Sequence, residues 1–206
     1  MKKGLFSRLS GQVGLGGLLT AIIACGVSAP AMAATTTVDT SWCSNPTVSQ
    51  YLSPFKDSNW YSYMPGESND SFDGSGWTLS GGASLKTVTL ADGQTGTVLD
   101  LPSGSKAVSP AICVNNSYPT ARTRVRDLVG AEGVQFYVSY EGTATWSTPK
   151  NTGQFHGSGT SWTLSGNINL QPNSTAGWQV VRFTYVPGGT HSDFQVYNFL
   201  VDPRCR

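Results

Sequence analysis

The stretch TARTRVRDLVGAEGVQFYVSYE, residues 120–141, holds two runs of strict alternation around a turn. In the first, Ala121, Thr123 and Val125 fall on one face and Arg122, Arg124 and Arg126 on the other, because successive side chains of an extended chain point to opposite sides. In the second, Val134, Phe136 and Val138 turn one way and Gln135, Tyr137 and Ser139 the other. A period of two with apolar residues on one side only, interrupted by Gly-Ala-Glu-Gly, predicts two half-buried β-strands.

The pattern recurs along the chain. Short alternating or apolar runs lie at 76–80, 84–90, 96–101, 106–114, 121–128, 133–141, 161–170, 178–186 and 193–202. Turn sequences separate them, at Gly81-Gly82, Ala91-Asp92-Gly93, Pro102-Ser103-Gly104 and Pro187-Gly188-Gly189. No segment keeps a helical period beyond two turns. About nine short strands in a chain with 24 glycines and 12% charged residues predict an all-β fold, an antiparallel two-sheet sandwich of jelly-roll-like topology. The aromatic segment 53–70 has no consistent period and reads as an ordered loop.

Two windows match each other, WTLSGGASL at 77–85 and WTLSGNINL at 162–170. The match stops at their ends, whereas a duplicated half-domain would extend over tens of residues. Alternation places Trp77 with Leu79 and Trp162 with Leu164 on like faces, so both tryptophans are expected in the core.

The first residues read as an export signal. Lys2, Lys3 and Arg8 precede an apolar run at 13–27, and Ala31 and Ala33 form an A-x-A cleavage site, which predicts a signal peptide over 1–33. The apolar run is shorter than the roughly 20 residues of a membrane span. Cys25, in a loose lipobox, offers lipid anchoring as the alternative. Beyond the signal the expected organisation is an extended arm at 34–46 and a single sandwich domain at 47–206. Without residues 1–33 the chain has 13 − 3 = 10 basic and 12 acidic residues, a formal charge of −2. That balance argues against nucleic acid and against a polybasic membrane surface as partners. Cys43, Cys113 and Cys205 remain in an oxidising compartment, where one disulfide is the default. The spacing of these cysteines and of His156 and His191 is not that of a zinc site.

Four stretches carry a resemblance: CSNPTVSQYLSPFKDSNWYSYMPG (43–66), FDGSGWTLSGGA (72–83), VLDLPSGSKAVSPAICVNNSYPTARTRVR (98–126) and FQVYNFLVDPRCR (194–206). Together they resemble an uncharacterised family of secreted actinobacterial β-sandwich proteins. More distantly the chain is similar to jelly-roll carbohydrate-binding modules of the galactose-binding-like class. The first resemblance implies one sandwich and a Cys43–Cys113 disulfide, while the residues alone also allow Cys43 with Cys205. Cys205 departs from the family ending and is either free or links two chains into a dimer. Related modules hold a structural calcium between an early carboxylate and a late acid pair. Here those positions are Asp73 and Tyr197-Asn198, so the acid pair is missing; calcium, which wants six to eight oxygens, is the one cofactor the resemblance leaves open.

Catalysis has little to draw on. Glu67, Glu132 and Glu141 sit in no motif of paired carboxylates, and His156 and His191 lie in loop sequence without a nucleophile elbow. The chain reads as a non-enzyme. For binding, the strand 178–186 adds Arg182 and Thr184 on the side opposite Val181, Phe183 and Tyr185. If the three strands share a sheet, Arg122, Arg124, Arg126, Gln135, Tyr137, Arg182 and Thr184 form one donor-rich outer face suited to sugar hydroxyls and acidic groups. The loop aromatics Trp60, Tyr61 and Tyr63 are a second candidate. The function expected is recognition of a cell-wall or extracellular glycan by a secreted, non-catalytic module; the alternative is a structural or interaction protein of the cell envelope or spore surface.

Overall fold

A computed structural model of the protein describes residues 37–68, 71–115, 120–170 and 177–202. The expected signal at 1–33, Cys25 and Cys205 lie outside the described residues. A 3₁₀ turn, Ser53–Phe55, precedes β1 (Ser62–Tyr63), β2 (Thr78–Ser80), β3 (Ser84–Thr89), β4 (Thr95–Pro102), β5 (Lys106–Val108) and β6 (Ile112–Val114). The second half contains β7 (Thr120–Val129), β8 (Val134–Tyr140), β9 (Lys150–Phe155), β10 (Thr163–Leu164), β11 (Ile168–Asn169), β12 (Gln179–Pro187) and β13 (Asp193–Asp202).

These strands form two antiparallel sheets. One runs β10-β7-β13-β4-β3, with β11 also on β7 and β1 on β13; the other runs β2-β5-β12-β8-β9, with β6 on β12. The architecture is the expected β-sandwich. Its apolar layer comes from alternate residues of both sheets: Val125, Leu99, Leu101, Phe194 and Val196 from one, Val134, Phe136, Val138, Val181 and Phe183 from the other, all buried. Phe199 stacks on Phe136 with ring centroids 5.8 Å apart, joining the layers. Such ring pairs add about 0.5–1.5 kcal/mol beyond the area they bury.

The sequence reading is corrected at three points. First, β7 belongs to one sheet and β8 and β12 to the other, so the three strands expected to carry one polar face do not share a sheet. The link between β7 and β8 crosses from one layer to the other, with Gly130 at φ +87 and Gly133 at φ +76. A Cβ on Gly130 would lie 3.0 Å from the His191 carbonyl oxygen, and one on Gly133 2.9 Å from that of Phe155. The crossing therefore needs glycine for conformation and for space. Second, two expected strands are each broken in two. Pro110, without an N–H, separates β5 from β6, and the Ser109 hydroxyl instead accepts the Phe183 N–H at 2.9 Å. Likewise the Ser165 hydroxyl accepts the Thr123 N–H at 3.0 Å between β10 and β11. Third, β9 has no apolar alternation; it is an edge strand along β8 whose one buried side chain is Phe155.

The two WTLSG copies also part ways. Trp77 is 9% exposed, packs on Phe72 and Tyr185, and donates its indole N–H to the Pro65 carbonyl at 3.0 Å. Trp162 lies on the outside of the β7–β13 sheet, half-buried, edge-on to Tyr197, with its N–H on the Thr89 carbonyl at 2.9 Å. The expectation of two core tryptophans holds for Trp77 only. Both copies open short edge strands, β2 and β10, but of different sheets: Trp77 turns inward onto Phe72 and Tyr185, and Trp162 turns outward onto Tyr197 and Arg126.

The disulfide joins Cys43 to Cys113 across 70 residues and ties the arm to β6. At the other end of the core, β13 is bulged between Tyr197 and Leu200, and Asn198 takes a left-handed φ of 53. The bulge removes backbone partners, and Glu67 replaces one: its Oε2 accepts the Phe199 N–H at 2.7 Å. Burial pushes the Glu67 carboxyl up to about 8, against the opposing effect of the Phe199 and Asn198 amides, with the nearby charge of Asp73 adding to the rise.

Replacing Trp77 by Ala should cost about 3–5 kcal/mol in urea unfolding, whereas Trp162→Ala should cost about 1–2 kcal/mol; equal losses would contradict the different placements. For Glu67, the folded protein keeps its proton up to about pH 8 while the unfolded chain releases it in the ordinary carboxyl range. The folded state thus binds more protons in between, and stability falls as pH rises through that window, then levels off. Glu67→Gln should raise the melting temperature at pH 9 relative to the parent and change it least at pH 4. A pH-independent difference would remove the buried-carboxyl account.

Candidate functional site

Ladder register brings the outward residues of β7 and β13 side by side. Arg126 pairs with Gln195, Arg124 with Tyr197 and Arg122 with Leu200. Asp100 of β4 lies next to Gln195, and Lys86 of β3 reaches it. The three arginines share one face, as alternation requires, but they are not equivalent.

Arg122 is fully engaged. Its Nη1 meets Asp57 Oδ2 at 2.7 Å, and its Nε donates to the Ser165 carbonyl at 3.1 Å. Burial raises the Asp57 carboxyl, but hydrogen bonds from Tyr61, the Asn59 amide and Arg122, with the Arg122 charge, together hold it below its ordinary value. Tyr61, expected among the ligand contacts, is 1% exposed, donates to Asp57 at 2.7 Å and packs with Leu52 and Leu200. It fixes the loop and offers nothing to a ligand. Its neighbour Trp60 stays exposed.

Arg126 donates through Nε and Nη2 to Gln195 Oε1, at 2.9 and 2.6 Å, and lies 4.5 Å from the centre of the Trp162 ring. Gln195 in turn donates to Asp100 at 2.7 Å, and Asp100 meets Lys86 at 2.7 Å. This row is a closed polar network that holds the Arg126–Trp162 stack in place.

Arg124 differs from both. Its guanidinium lies 4.2 Å over the Phe55 ring and 6.0 Å from Tyr197, and it makes no hydrogen bond or ion pair with any described residue. It borders a small cleft of about 80 Å³ together with Phe55, Asp92, Tyr197 and Asn198. Asn198 is 5% exposed, and its buried Oδ1 has no hydrogen-bond partner. An unpartnered donor fork and an unpartnered acceptor thus line one cleft, between aromatic rings. Burial of such groups without partners is costly unless something else satisfies them.

The remaining predicted residues lie elsewhere. Gln135, Tyr137, Arg182 and Thr184 are on β8 and β12, in the other sheet, so the single face expected from the sequence is divided between opposite sides of the sandwich. There Tyr137 donates to Gln135, and Arg182 stacks on Trp146 at 4.2 Å. The Arg182 Nε is buried without a partner. Each outer face therefore carries one guanidinium–indole stack. Sequence reading missed Phe55, Asp92 and Asn198, and it expected Trp162 in the core.

The histidines His156 and His191 are exposed. Asp73, the carboxylate implied for calcium, accepts the Ser75 N–H at 2.7 Å. Among the described residues no three His, Cys, Asp or Glu side chains are grouped to hold a metal.

No protein-family model matches the chain. No curated protein matches it either. Among solved structures, a family 11 carbohydrate-binding module from Clostridium thermocellum, in complex with a β-1,3-1,4-mixed-linked tetrasaccharide, is 10% identical. It covers 62% of this chain and 88% of its own, with a TM-score of 0.38. A CBM22-1 xylan-binding domain from Paenibacillus barcinonensis is 12% identical over 69% of this chain and 90% of its own, TM-score 0.39. A further family 22 xylan-binding domain is 12% identical over 73% and 99%, TM-score 0.37. The chain is distantly similar in structure to carbohydrate-binding modules.

Proposed function

We propose that this protein is a secreted, non-catalytic glycan-binding module whose ligand sits on the outer face of the β7–β13 sheet, in the cleft bordered by Arg124. The observation that carries the reading is the pairing of an Arg124 guanidinium without polar partners with the buried, unpartnered Asn198 oxygen. A sugar presents what this cleft lacks. Its hydroxyls donate to Asn198 and Asp92, and its ring C–H face packs on Phe55 and Tyr197. An open guanidinium fork matches a carboxylate, so a glycan carrying uronic or other acidic units is the favoured class. The Arg126–Trp162 stack beside it extends the same surface to a second sugar unit. Export is supported by the leader pattern and by a disulfide, which persists in oxidising compartments.

The test is calorimetry of the exported protein against a panel of acidic and neutral oligosaccharides. An acidic oligosaccharide should bind and weaken with salt. Arg124→Ala should lower its affinity about 10- to 100-fold, the scale of one charge-assisted hydrogen-bond pair, and Arg124→Lys should recover only part. Unchanged affinity in Arg124→Ala, or no binding across the panel, would overturn the assignment.

A further inference from the structure

A second region combines aromatic rings with unsatisfied polar atoms, away from the arginine face. The arm residues 37–42 run beside the end of the β8–β12 ladder, where the Glu141 N–H donates to the Val180 carbonyl at 2.9 Å. Two adjoining depressions flank the arm, of about 290 and 230 Å³, and both are bordered by Val38 and Glu141. Tyr140, Trp178 and Gln179 line the first, Asp39 and Trp42 the second.

The arm is tied to the sandwich at Cys43 and shaped by its own turn. The disulfide anchors Cys43 to Cys113, the Cys43 N–H donates to the Thr40 carbonyl at 3.0 Å, and the Ser41 N–H donates to Asp39 Oδ1 at 2.9 Å. Trp42 donates its indole N–H to the Asp39 carbonyl at 3.0 Å while its ring stays 53% exposed. An exposed indole with its N–H already bonded within its own turn is a fixed apolar platform.

The polar chemistry of this groove is one-sided. Glu141 and Asp39 contribute carboxylates, and the Gln179 Oε1 is a buried acceptor without a partner. Hydrogen bonds from Ser41 hold the Asp39 carboxyl below its ordinary value, so it is ionised across the neutral range. Among the described residues no lysine or arginine borders either depression. Acceptors, negative charge and aromatic faces together select a ligand that brings donors and positive charge and has a flat apolar side.

We infer that the groove along the arm, from Trp178 and Tyr140 past Glu141 to Trp42, is a second binding site, for a saccharide chain bearing free ammonium groups. A sugar ring lies on Trp42, the ammonium meets Glu141 or Asp39, and a hydroxyl or ammonium hydrogen satisfies Gln179. The site is independent of the Arg124 cleft, which takes the opposite charge.

The probe is a β-1,4-linked glucosamine hexamer at pH 5.5, compared with its fully N-acetylated counterpart, by calorimetry on the exported protein. The deacetylated hexamer should bind at least about tenfold more tightly. Glu141→Gln and Trp42→Ala should each weaken it about tenfold or more, and Arg124→Ala should leave it unchanged. Glu141 and Trp42 are exposed and Arg124 is half-buried, so unaltered melting curves would show that the variants fold. Equal affinity for the two hexamers, no binding of either, or loss on Arg124→Ala but not on Glu141→Gln would each overturn the assignment.

Discussion

Where β7 meets β13, Ala121, Thr123 and Val125 point inward, and Arg122, Arg124 and Arg126 point outward, set against Leu200, Tyr197 and Gln195. Ala121 and Val125 enter the core, and the Thr123 hydroxyl donates to the Tyr197 carbonyl at 3.0 Å. The arginines between them have no inward option, because placing a guanidinium in the apolar layer would require burying an unpaired charge. That constraint locks the register: a slip of one residue would reverse every side chain of the strand. The outer face, the loop laid over it and the Arg124 cleft all follow from this ladder.

The same ladder explains why three similar arginines come to have different roles. Arg122 is held by Asp57, which the loop 51–60 brings over the sheet, and Arg126 is held by Gln195 and Trp162. Arg124 lies between them, opposite Tyr197 and next to the bulge, where the left-handed Asn198 interrupts the pairing. A bulge beside a binding surface commonly re-aims side chains. Here it leaves one donor group and one acceptor group without partners at the same place. Glu67 supports the bulge from the inside, at the cost of a buried carboxyl beneath the Arg124 face. Stability and site geometry are therefore coupled through one side chain.

Charge is distributed with similar economy. A chain that is almost neutral overall sets Arg122, Arg124 and Arg126 on one outer face, Arg182 on the other, and Asp39 and Glu141 beside the arm. Average charge thus says little about what any one surface prefers. The preference is set locally, by which groups find internal partners and which are left open.

Much of this was legible in the residues. Period-two alternation identified the strands, sorted Val125 from Arg124 and Phe136 from Tyr137, and pointed to a sandwich, because facing in or out is a property of each residue and its immediate neighbours. The Cys43–Cys113 link followed from resemblance and not from spacing. Which sheet each strand joins was not legible. Gly130 and Gly133 read equally well as a hairpin turn or as a passage between layers, and only packing against residues of distant segments decides. The same holds for Trp162, whose local sequence is that of Trp77 but whose ring turns to the outside of the other sheet. It holds for Arg122 too, whose partner Asp57 is 65 residues away. The amino-acid pattern by itself determined a β-sandwich with arginines outside; the tertiary structure alone decided which arginine keeps its donors open. Side-chain direction is encoded locally, whereas partnership depends on contacts that exist only once remote segments have met.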